Sequence, residues 1–276
     1  MPFHALLGSR RFVHLAELRP PRGIRIEPYA ELARGLAGRV DGVVVPDQID
    51  AVLALDGRTA ARHVLATGVE PLLTVNVRDR NRLALQAELL GAWLDGIRTV
   101  IVETGVDPAL GDHPGTHGVY DVDAARLVGA VRRLGEGSDL AGGRLDGPVP
   151  FTVGAEVDPW KPVAVPGADF LLTAPVCDRA GFLSIAPGLR SLGVPVIVRI
   201  LLLKSGGMAR YLQRNVAPGR VADATVERLQ QAPDKAEESV AIAAELLRAI
   251  REAADGVCID APGWETRIPA VLDAAR

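Results

Sequence analysis

The side chains best suited to acid–base chemistry are acidic residues placed where apolar stretches of the sequence end. Glu17 is the sharpest case, because it lies inside the apolar run of residues 15–18 and a rigid Pro-Pro pair follows shortly after it. A carboxyl group buried in a strand is desolvated, which raises its pKa and lets it act as a general acid near neutral pH. The alternative is a structural ion pair with Arg19 or Arg22.

Further polar residues follow the other apolar runs of the sequence. Most of them are acidic, and an acid-rich site suits a substrate with hydrogen-bond donors or a developing positive charge. These residues are Asp47, Asp79, Asn81, Glu103, Asp107, Glu156, Asp158, Asp178, Lys204, Ser205 and Asp260.

Two segments stand out by their density of charge and glycine. Residues 78–81 read Arg-Asp-Arg-Asn, which predicts either an N-cap for the helix that follows or an arginine presented to a phosphate. Residues 107–123 hold His113 and His117 among turn-forming residues, which is typical of a long functional loop or of a plain surface loop. The spacing of the two histidines matches no common metal site, so we expect solvated histidines and no metal.

The elements that must position these residues alternate along the whole chain. Eight short runs rich in Val, Ile and Leu predict strands buried on both faces, and helical patterns separate most of them. This order predicts an α/β fold, namely a closed (β/α)8 TIM barrel formed as a single domain over residues 1–276. A doubly wound open sheet is the alternative, but no glycine-rich dinucleotide motif follows the first strand. The predicted strands are 12–18, 41–45, 70–77, 98–103, 150–157, 168–173, 195–201 and 256–260, and the predicted helices are 28–38, 58–67, 81–94, 122–134, 179–192 and 234–254.

The fifth crossover breaks this alternation. Between Asp158 and Gly167 the sequence is Pro-Trp-Lys-Pro-Val-Ala-Val-Pro, and three prolines in so short a segment exclude a regular helix. We therefore expect the fifth crossover helix to be missing or shortened. The glycine-rich residues 135–150 are expected to form a surface loop.

Composition narrows the class of protein. The 276 residues are 48% hydrophobic and carry a formal net charge of −3, so no basic excess indicates nucleic acid or anionic lipid as a partner. Cys177 and Cys258 lie far apart in apolar runs and are expected to be buried, inert thiols. No charged leader and no apolar run of ~20 residues is present, which indicates a cytoplasmic protein without a membrane span.

Several stretches of the sequence, taken together, resemble the methylenetetrahydrofolate reductase family. The branch they are most similar to occurs in acetogens and fused to some cobalamin-dependent methyltransferases. The stretches occur in order over nearly the whole chain, with shorter matches near 193–197 and 216–221. The main ones are residues 16–23 (Ala-Glu-Leu-Arg-Pro-Pro-Arg-Gly), 78–98 (Arg-Asp-Arg-Asn to Gly-Ile-Arg), 105–123 (Gly-Val-Asp-Pro to Val-Tyr-Asp-Val-Asp) and 167–173 (Gly-Ala-Asp-Phe-Leu-Leu-Thr).

The resemblance implies a fold, an activity and a set of site residues. The family is an eight-stranded α/β barrel that binds FAD at the carboxyl ends of its strands and passes a hydride from NADH or NADPH to the methylene group of a reduced folate. Glu17 falls on the family's catalytic glutamate, and Asp107 on the aspartate that faces the pterin and the flavin. The implied partners are a reduced folate or related pterin, and a homo-oligomer or a methyltransferase or reductase subunit. Implied cofactor contacts are Arg78, Asp79, Asn81, Tyr120, Glu156 and Lys161, and implied substrate contacts are Asp47, Thr173, Asp178 and Ser205.

The sequence departs from the family pattern around the ligand. Thr173 is followed by Ala174 where the family often has the pterin-binding glutamine, and Gly206 aligns with an aromatic residue that flanks the folate. The fifth helix, which holds the flavin's ribose and phosphates in the family, has only Lys161 as a cationic counterpart.

Three hypotheses remain open on these residues. The first is a reductase that binds FAD, with phosphates held by Arg78, Arg80 or Lys161. The second is a flavin-free relative in which nicotinamide and folate meet in a ternary complex. The third is a non-catalytic, partner-binding barrel with a decayed site. The joint presence of Glu17 and Asp107 favours an oxidoreductase.

Overall fold

Eight parallel strands close into a barrel in the order of the sequence. The computed structural model describes residues 2–9, 11–216 and 220–276, with the backbone alone described at Val216. The closed parallel sheet confirms the predicted TIM barrel and excludes the open sheet. Each predicted strand contains the observed one. The strands are β1 (Val13–Glu17), β2 (Gly42–Val45), β3 (Pro71–Asn76), β4 (Thr99–Glu103), β5 (Thr152–Val157), β6 (Phe170–Thr173), β7 (Val196–Leu201) and β8 (Gly256–Asp260).

The first and last strands close the ring. Val13 pairs with Gly256 and Glu17 with Asp260, so the two acidic residues lie at the same level of the barrel. Asp255 strengthens this closure, because its backbone carbonyl accepts from the Val13 amide at 2.9 Å and its carboxylate accepts from the Val196 amide at 2.8 Å.

Helices surround the sheet, and the six predicted ones are all present with slightly different ends. The sequence patterns did not predict four short helices, residues 3–8, 206–211, 223–231 and 268–274, which mostly lack a repeated apolar face. In the described ranges the α-helices are α1 (Phe3–Gly8), α2 (Glu27–Leu36), α3 (Gly57–Leu65), α4 (Arg82–Leu94), α5 (Ala124–Gly135), α6 (Arg179–Arg190), α7 (Gly206–Tyr211), α8 (Asp223–Gln231), α9 (Lys235–Arg251) and α10 (Ile268–Ala274).

The fifth crossover, residues 158–169, contains no helix, as its prolines predict. Trp160 packs against the core and carries the guanidinium of Arg220 4.1 Å above its ring. Arg220 also pairs with Asp158 at 3.2 Å. A loop braced from the segment before α8 therefore replaces the missing helix.

The lower half of the barrel interior is apolar, and α1 seals its amino-terminal end. Phe3 is fully buried and meets Phe170 edge-on, with 5.1 Å between the ring centroids. Gly154 makes room for this pair, since a Cβ there would lie 2.4 Å from Cζ of Phe170. The inner cluster comprises Phe3, Leu6, Val13, Leu15, Val44, Leu72, Ile101, Phe170, Leu172, Ile197 and Cys258.

Two further expectations concern the cysteines and membrane-spanning segments. Cys177 and Cys258 are both free and buried, as expected. Across residues 2–9, 11–216 and 220–276, no helix has the length and apolar character needed to cross a membrane.

Candidate active site

A layer of charged side chains lies above the apolar cluster, at the carboxyl ends of the strands. Side chains alternate along a strand, so residues two positions beyond members of the inner cluster also face the interior. Leu15, Ile101 and Ile197 thereby place Glu17, Glu103 and Arg199 inside the barrel. Cys258 places Asp260 there in the same way, and Glu156 joins them through its contact with Arg199. The inner layer thus comprises Glu17, Glu103, Glu156, Arg199 and Asp260.

Glu17 is fully buried at the end of β1. Burial raises its pKa to about 7, against the opposing charge of Arg199, and the nearby charge of Asp260 raises it further. Neither carboxylate oxygen accepts a hydrogen bond from a described residue. The alternative of an ion pair with Arg19 or Arg22 is not observed, because the charged partner is Arg199, whose Nε lies 3.1 Å from Oε2 of Glu17.

Arg199 is the residue of this layer that the sequence analysis missed. Its side chain is 5% exposed, and its Nη1 donates to Oε2 of Glu156 at 2.7 Å while its Nε faces Glu17. The sequence does contain a feature that indicates this residue: Arg199 is the single charged side chain inside the continuous apolar run of residues 196–203. A buried arginine on a strand requires carboxylate partners, so that run implied acidic neighbours inside the barrel.

Two more carboxyl groups complete the layer. Burial raises the pKa of Glu103 well above its ordinary value, and the charge of Glu156 raises it further. Burial also raises the pKa of Asp260, although Arg19 donates to its Oδ2 at 2.8 Å. Both groups therefore favour the protonated form more than exposed carboxyls do.

Asp47 lies just beyond β2 and is held from β3. Its backbone amide donates to the Thr74 hydroxyl at 2.8 Å, and Asn76 donates to its Oδ2 at 3.0 Å. Arg80 pairs with the same carboxylate. Burial raises the pKa of Asp47, while Arg80 opposes the shift. The other carboxylate oxygen, Oδ1, is buried and accepts no hydrogen bond from the described residues.

Arg80 connects Asp47 to a second, partly buried acid that the sequence did not reveal. Nε of Arg80 lies 3.1 Å from Oε2 of Glu88 on α4. Burial raises the pKa of Glu88 to about 7, and the charge of Arg80 opposes this shift. Glu88 was hidden in sequence, because a glutamate within a helix is usually solvated.

The Arg78–Asn81 segment is occupied by structural contacts. The Arg78 side chain is 3% exposed and donates to both oxygens of Asp79 and to the carbonyl oxygens of Val106 and Gln48. Asn81 is the N-cap of α4, accepting from the amides of Leu83 and Ala84. The capping prediction is confirmed. Tyr120, also assigned to the cofactor, is half exposed and has a left-handed backbone.

Asp107 lies exposed on the loop after β4. Its Oδ1 accepts from the Ala109 amide at 2.9 Å and so caps the short turn of residues 108–110. Asp112, five residues further along, holds this loop to its neighbours. It accepts from the Leu53 amide at 3.1 Å and pairs with Arg22.

The loop before α3, which contacts this turn, has an unusual backbone. Gln48, Asp50 and Ala51 adopt left-handed conformations, with φ between 47° and 58°. A Cβ at Gly111 would overlap the carbonyl oxygen of Ala51, so only glycine allows the two loops to approach this closely.

The remaining implied ligand residues have structural partners or lie at the surface. The Thr173 hydroxyl accepts from the Arg199 amide at 3.0 Å. Asp178 caps α6 and also accepts from the Ala222 amide and the Thr225 hydroxyl. Ser205 caps α7, and Lys161 is exposed on the fifth crossover.

These contacts test the fit of the implied cofactors. A flavin dinucleotide needs cations or helix N-termini for its two phosphates. Arg78 is committed to Asp79, Arg80 to Asp47 and Glu88, and the fifth crossover provides no helix. The family's mode of holding FAD therefore does not fit these residues. No metal-binding group of three or more His, Cys, Asp or Glu occurs in the described part of the chain.

Comparisons with known proteins identify the fold. No protein-family model and no curated protein matches the sequence. One similar structure is an uncharacterized protein from Clostridium thermocellum that binds two copies of 5-methyl-5,6,7,8-tetrahydrofolic acid, with a TM-score of 0.63 and 12% identity over 100% of this chain and 98% of that one.

Two oxidoreductases are also similar. An F420-dependent secondary alcohol dehydrogenase gives a TM-score of 0.55 and 14% identity over 96% of this chain and 99% of that one. An EDTA monooxygenase from Chelativorans sp. BNC1 gives a TM-score of 0.54 and 12% identity over 96% of this chain and 93% of that one. At these identities the likeness establishes the barrel fold.

Proposed function

We propose that this protein is an oxidoreductase that delivers a hydride to a one-carbon unit carried by a reduced folate or related pterin. Glu17 is its general acid. The observation that carries the proposal is a fully buried carboxyl with a pKa of about 7 at the end of the first strand. Active sites of such barrels lie at this end.

The acid has a defined task in this reaction. A methylene group that bridges two nitrogens of a reduced pterin opens to a cationic iminium when one nitrogen receives a proton. The hydride then adds to that cation. Glu17 supplies the proton, since its burial raises the pKa to about 7 and favours the protonated form more than in an exposed glutamate. The carboxylates of the surrounding layer favour the positive charge that develops.

The other assigned residues act by binding. The buried Oδ1 of Asp47 has no hydrogen-bond donor among the described residues, and a donor group of the substrate would satisfy it. Asp107 presents an exposed carboxylate on the loop after β4. The tetrahydrofolate-binding neighbour from Clostridium thermocellum supports a reduced pterin as the ligand class, because its ligand is a methylated form of the same carrier.

The hydride source defines two versions of the proposal. In one, the donor is a flavin-type cofactor, a class consistent with the F420-dependent neighbour. In the other, a reduced nicotinamide meets the pterin directly and no flavin takes part. The engagement of Arg78 and the helix-free fifth crossover favour the second version.

An absorbance spectrum with and without added FAD separates these versions. The oxidised isoalloxazine ring of a flavin absorbs at ~450 nm. Absorbance there that the purified protein retains, or that saturates as FAD is added, supports the flavin version. A colourless protein that oxidises NADH or NADPH only when methylenetetrahydrofolate is present supports direct transfer. A protein inactive with every donor would contradict the proposal and leave the partner-binding barrel.

Replacing the acid tests its role. We expect Glu17→Gln to lower kcat/KM by about 10²–10⁴-fold, because a general acid typically contributes that much. The far-ultraviolet circular dichroism should be unchanged. Glu238→Gln, on the surface, serves as the control and should keep wild-type activity. A Glu17→Gln variant with near wild-type turnover would remove Glu17 from the mechanism.

A further inference from the structure

The guanidinium of Arg199 contacts two glutamates on different strands, Glu156 on β5 and Glu17 on β1. Nη1 of Arg199 donates to Oε2 of Glu156 on β5 at 2.7 Å with hydrogen-bond geometry. Its Nε lies 3.1 Å from Oε2 of Glu17 on β1 but is not aligned for a hydrogen bond. Arg199 is therefore held firmly by Glu156 and only by charge attraction at Glu17.

The two glutamates differ in their access to solvent. The Glu17 side chain is 0% exposed and that of Glu156 is 29% exposed. A ligand that enters from the carboxyl end of the barrel therefore reaches Glu156 before it can reach Glu17. Arg199 lies between the accessible group and the buried one.

We propose that Arg199 is a positioning residue that couples ligand contact at Glu156 to the acid strength of Glu17. A ligand group that donates hydrogen bonds or carries positive charge engages Glu156 and releases Nη1 of Arg199. The guanidinium then turns to Glu17 alone. This inference rests on the proposed role of Glu17 as the acid.

The charges around Glu17 give the coupling a direction. Burial raises the Glu17 pKa to about 7, Arg199 is the largest opposing charge, and Glu156 raises the pKa further. Neutralising Glu156 and freeing Arg199 both lower the pKa. Glu17 thus becomes a stronger acid when the ligand arrives and keeps its proton before. The other titratable groups around Glu17 are Arg19, Tyr29, Glu103, Cys258 and Asp260.

A double-mutant cycle on the ligand-free chain tests the coupling. The protonated carboxyl stretch of Glu17, assigned by its loss in Glu17→Gln, is followed by infrared spectroscopy against pH. Arg199→Met should raise the Glu17 pKa by ~1–3 units, because a close opposite charge is lost, and Glu156→Gln should lower it. In the Arg199→Met background, Glu156→Gln should shift the pKa by less than half as much.

The chain offers a matched control elsewhere. Arg228 bridges two glutamates, Glu238 and Glu245, on the surface. Arg228→Met and Glu245→Gln should leave the Glu17 pKa unchanged, which separates the local arrangement from the mere loss of an arginine.

Equal effects of Glu156→Gln in both backgrounds would overturn the proposal, because the glutamate would then act without Arg199. If Arg199→Met does not fold, Arg199→Lys replaces it. The single nitrogen of lysine keeps the charge but cannot hold both glutamates, so the effect of Glu156→Gln on the Glu17 pKa should again shrink.

The infrared measurement does not depend on enzyme activity, so it separates this inference from the proposed function. If Glu156 and Glu17 are coupled in a protein without reductase activity, the proposed function alone is refuted. If the protein is an active reductase and the pKa shifts are additive, the coupling alone is refuted.

Discussion

Burial without a hydrogen-bond donor sets the proton affinity of Glu17. The group has an ordinary pKa of 4.5 when the chain is unfolded and about 7 when it is folded. The folded protein therefore binds more protons than the unfolded chain between these values. Stability linked to Glu17 is fully present below pH 4.5 and is lost as pH rises towards 7.

This linkage predicts the pH dependence of stability. Glu17→Gln removes the titration, so its free energy of unfolding should rise relative to wild type as pH rises from about 4.5 to 7, then stay constant. The size is roughly 3 kcal/mol, taking ~1.36 kcal/mol for each unit of pKa shift. Urea unfolding at several pH values measures it.

Glu88→Gln is the internal comparison for that measurement, since the Glu88 pKa is also raised to about 7 by burial. Its effect on stability should follow the same pH window, while the proposed reductase activity is retained. A pH-independent difference between Glu17→Gln and wild type would contradict the raised pKa of Glu17.

The sequence identified single candidate residues of the site but did not predict which side chains contact each other. Glu17 was identifiable because an acidic residue inside an apolar strand is unusual. Its contact with Arg199 was not, because strands β1 and β7 meet the same interior only after the sheet has closed. The structural roles of Arg78 and Asp178 also depend on partners from distant loops.

Among the elements, α1 has an influence out of proportion to its length. Its Phe3 ring fills the amino-terminal end of the barrel against Phe170. The sequence of these six residues did not predict the helix or its packing, because so short a segment shows no full apolar repeat. Its stability comes from docking on the sheet.

Removing the Phe3 ring tests that docking. We expect Phe3→Ala to lower the free energy of unfolding by ~3–5 kcal/mol, as for other buried phenylalanines. Leu83→Ala is the control, because Leu83 is 75% exposed on α4. It should change stability by less than ~0.5 kcal/mol. Similar losses for both variants in urea unfolding would show that α1 does not seal the barrel.

The loops at the opposite end depend on Asp112. Asp112→Ala removes the hydrogen bond from the Leu53 amide and the ion pair with Arg22. We expect faster proteolytic cleavage within residues 104–123 under native conditions, with little change in the midpoint of global unfolding. Limited proteolysis followed by mass spectrometry locates the cuts.

Asp139→Ala is the matched control for that experiment. Asp139 closes a separate loop by accepting from the Ala141 and Gly143 amides. Its loss should expose residues 135–150 and leave residues 104–123 protected. Cleavage of both loops in either variant would argue against a local role for Asp112.

For the whole molecule, closure of the ring is the decisive event. The sheet has no edge strand once β8 joins β1 to β7, and unpaired edges promote aggregation. We expect a chain that stops at residue 255 to elute as aggregates in size-exclusion chromatography. A chain that stops at residue 267 keeps all eight strands and should remain soluble with a lower unfolding midpoint. A soluble, compact form of the shorter chain would contradict this expectation.

The closed parallel barrel was the preferred prediction from the sequence, because continuous apolar runs separated by helices have few topological solutions, and the alternative was a doubly wound open sheet. The absent fifth helix was readable too, because proline acts locally. The short helices α7 and α8 were not, since packing of residues such as Leu229 on the rest of the fold stabilises them rather than their own sequence.

The left-handed residues Gln48, Asp50 and Ala51 carry an energetic consequence. Each side chain in that conformation costs roughly 1–2 kcal/mol compared with a relaxed backbone. Relieving this backbone strain at the mouth of the barrel would therefore stabilise the folded protein. Selection for heat resistance would find its easiest gains in this loop, by glycine or by a relaxed turn. The same changes would weaken the ion pair between Asp50 and Arg19, and Arg19 also pairs with Asp260 inside the barrel. A more stable loop would therefore alter the contacts of a buried acid at the carboxyl ends of the strands.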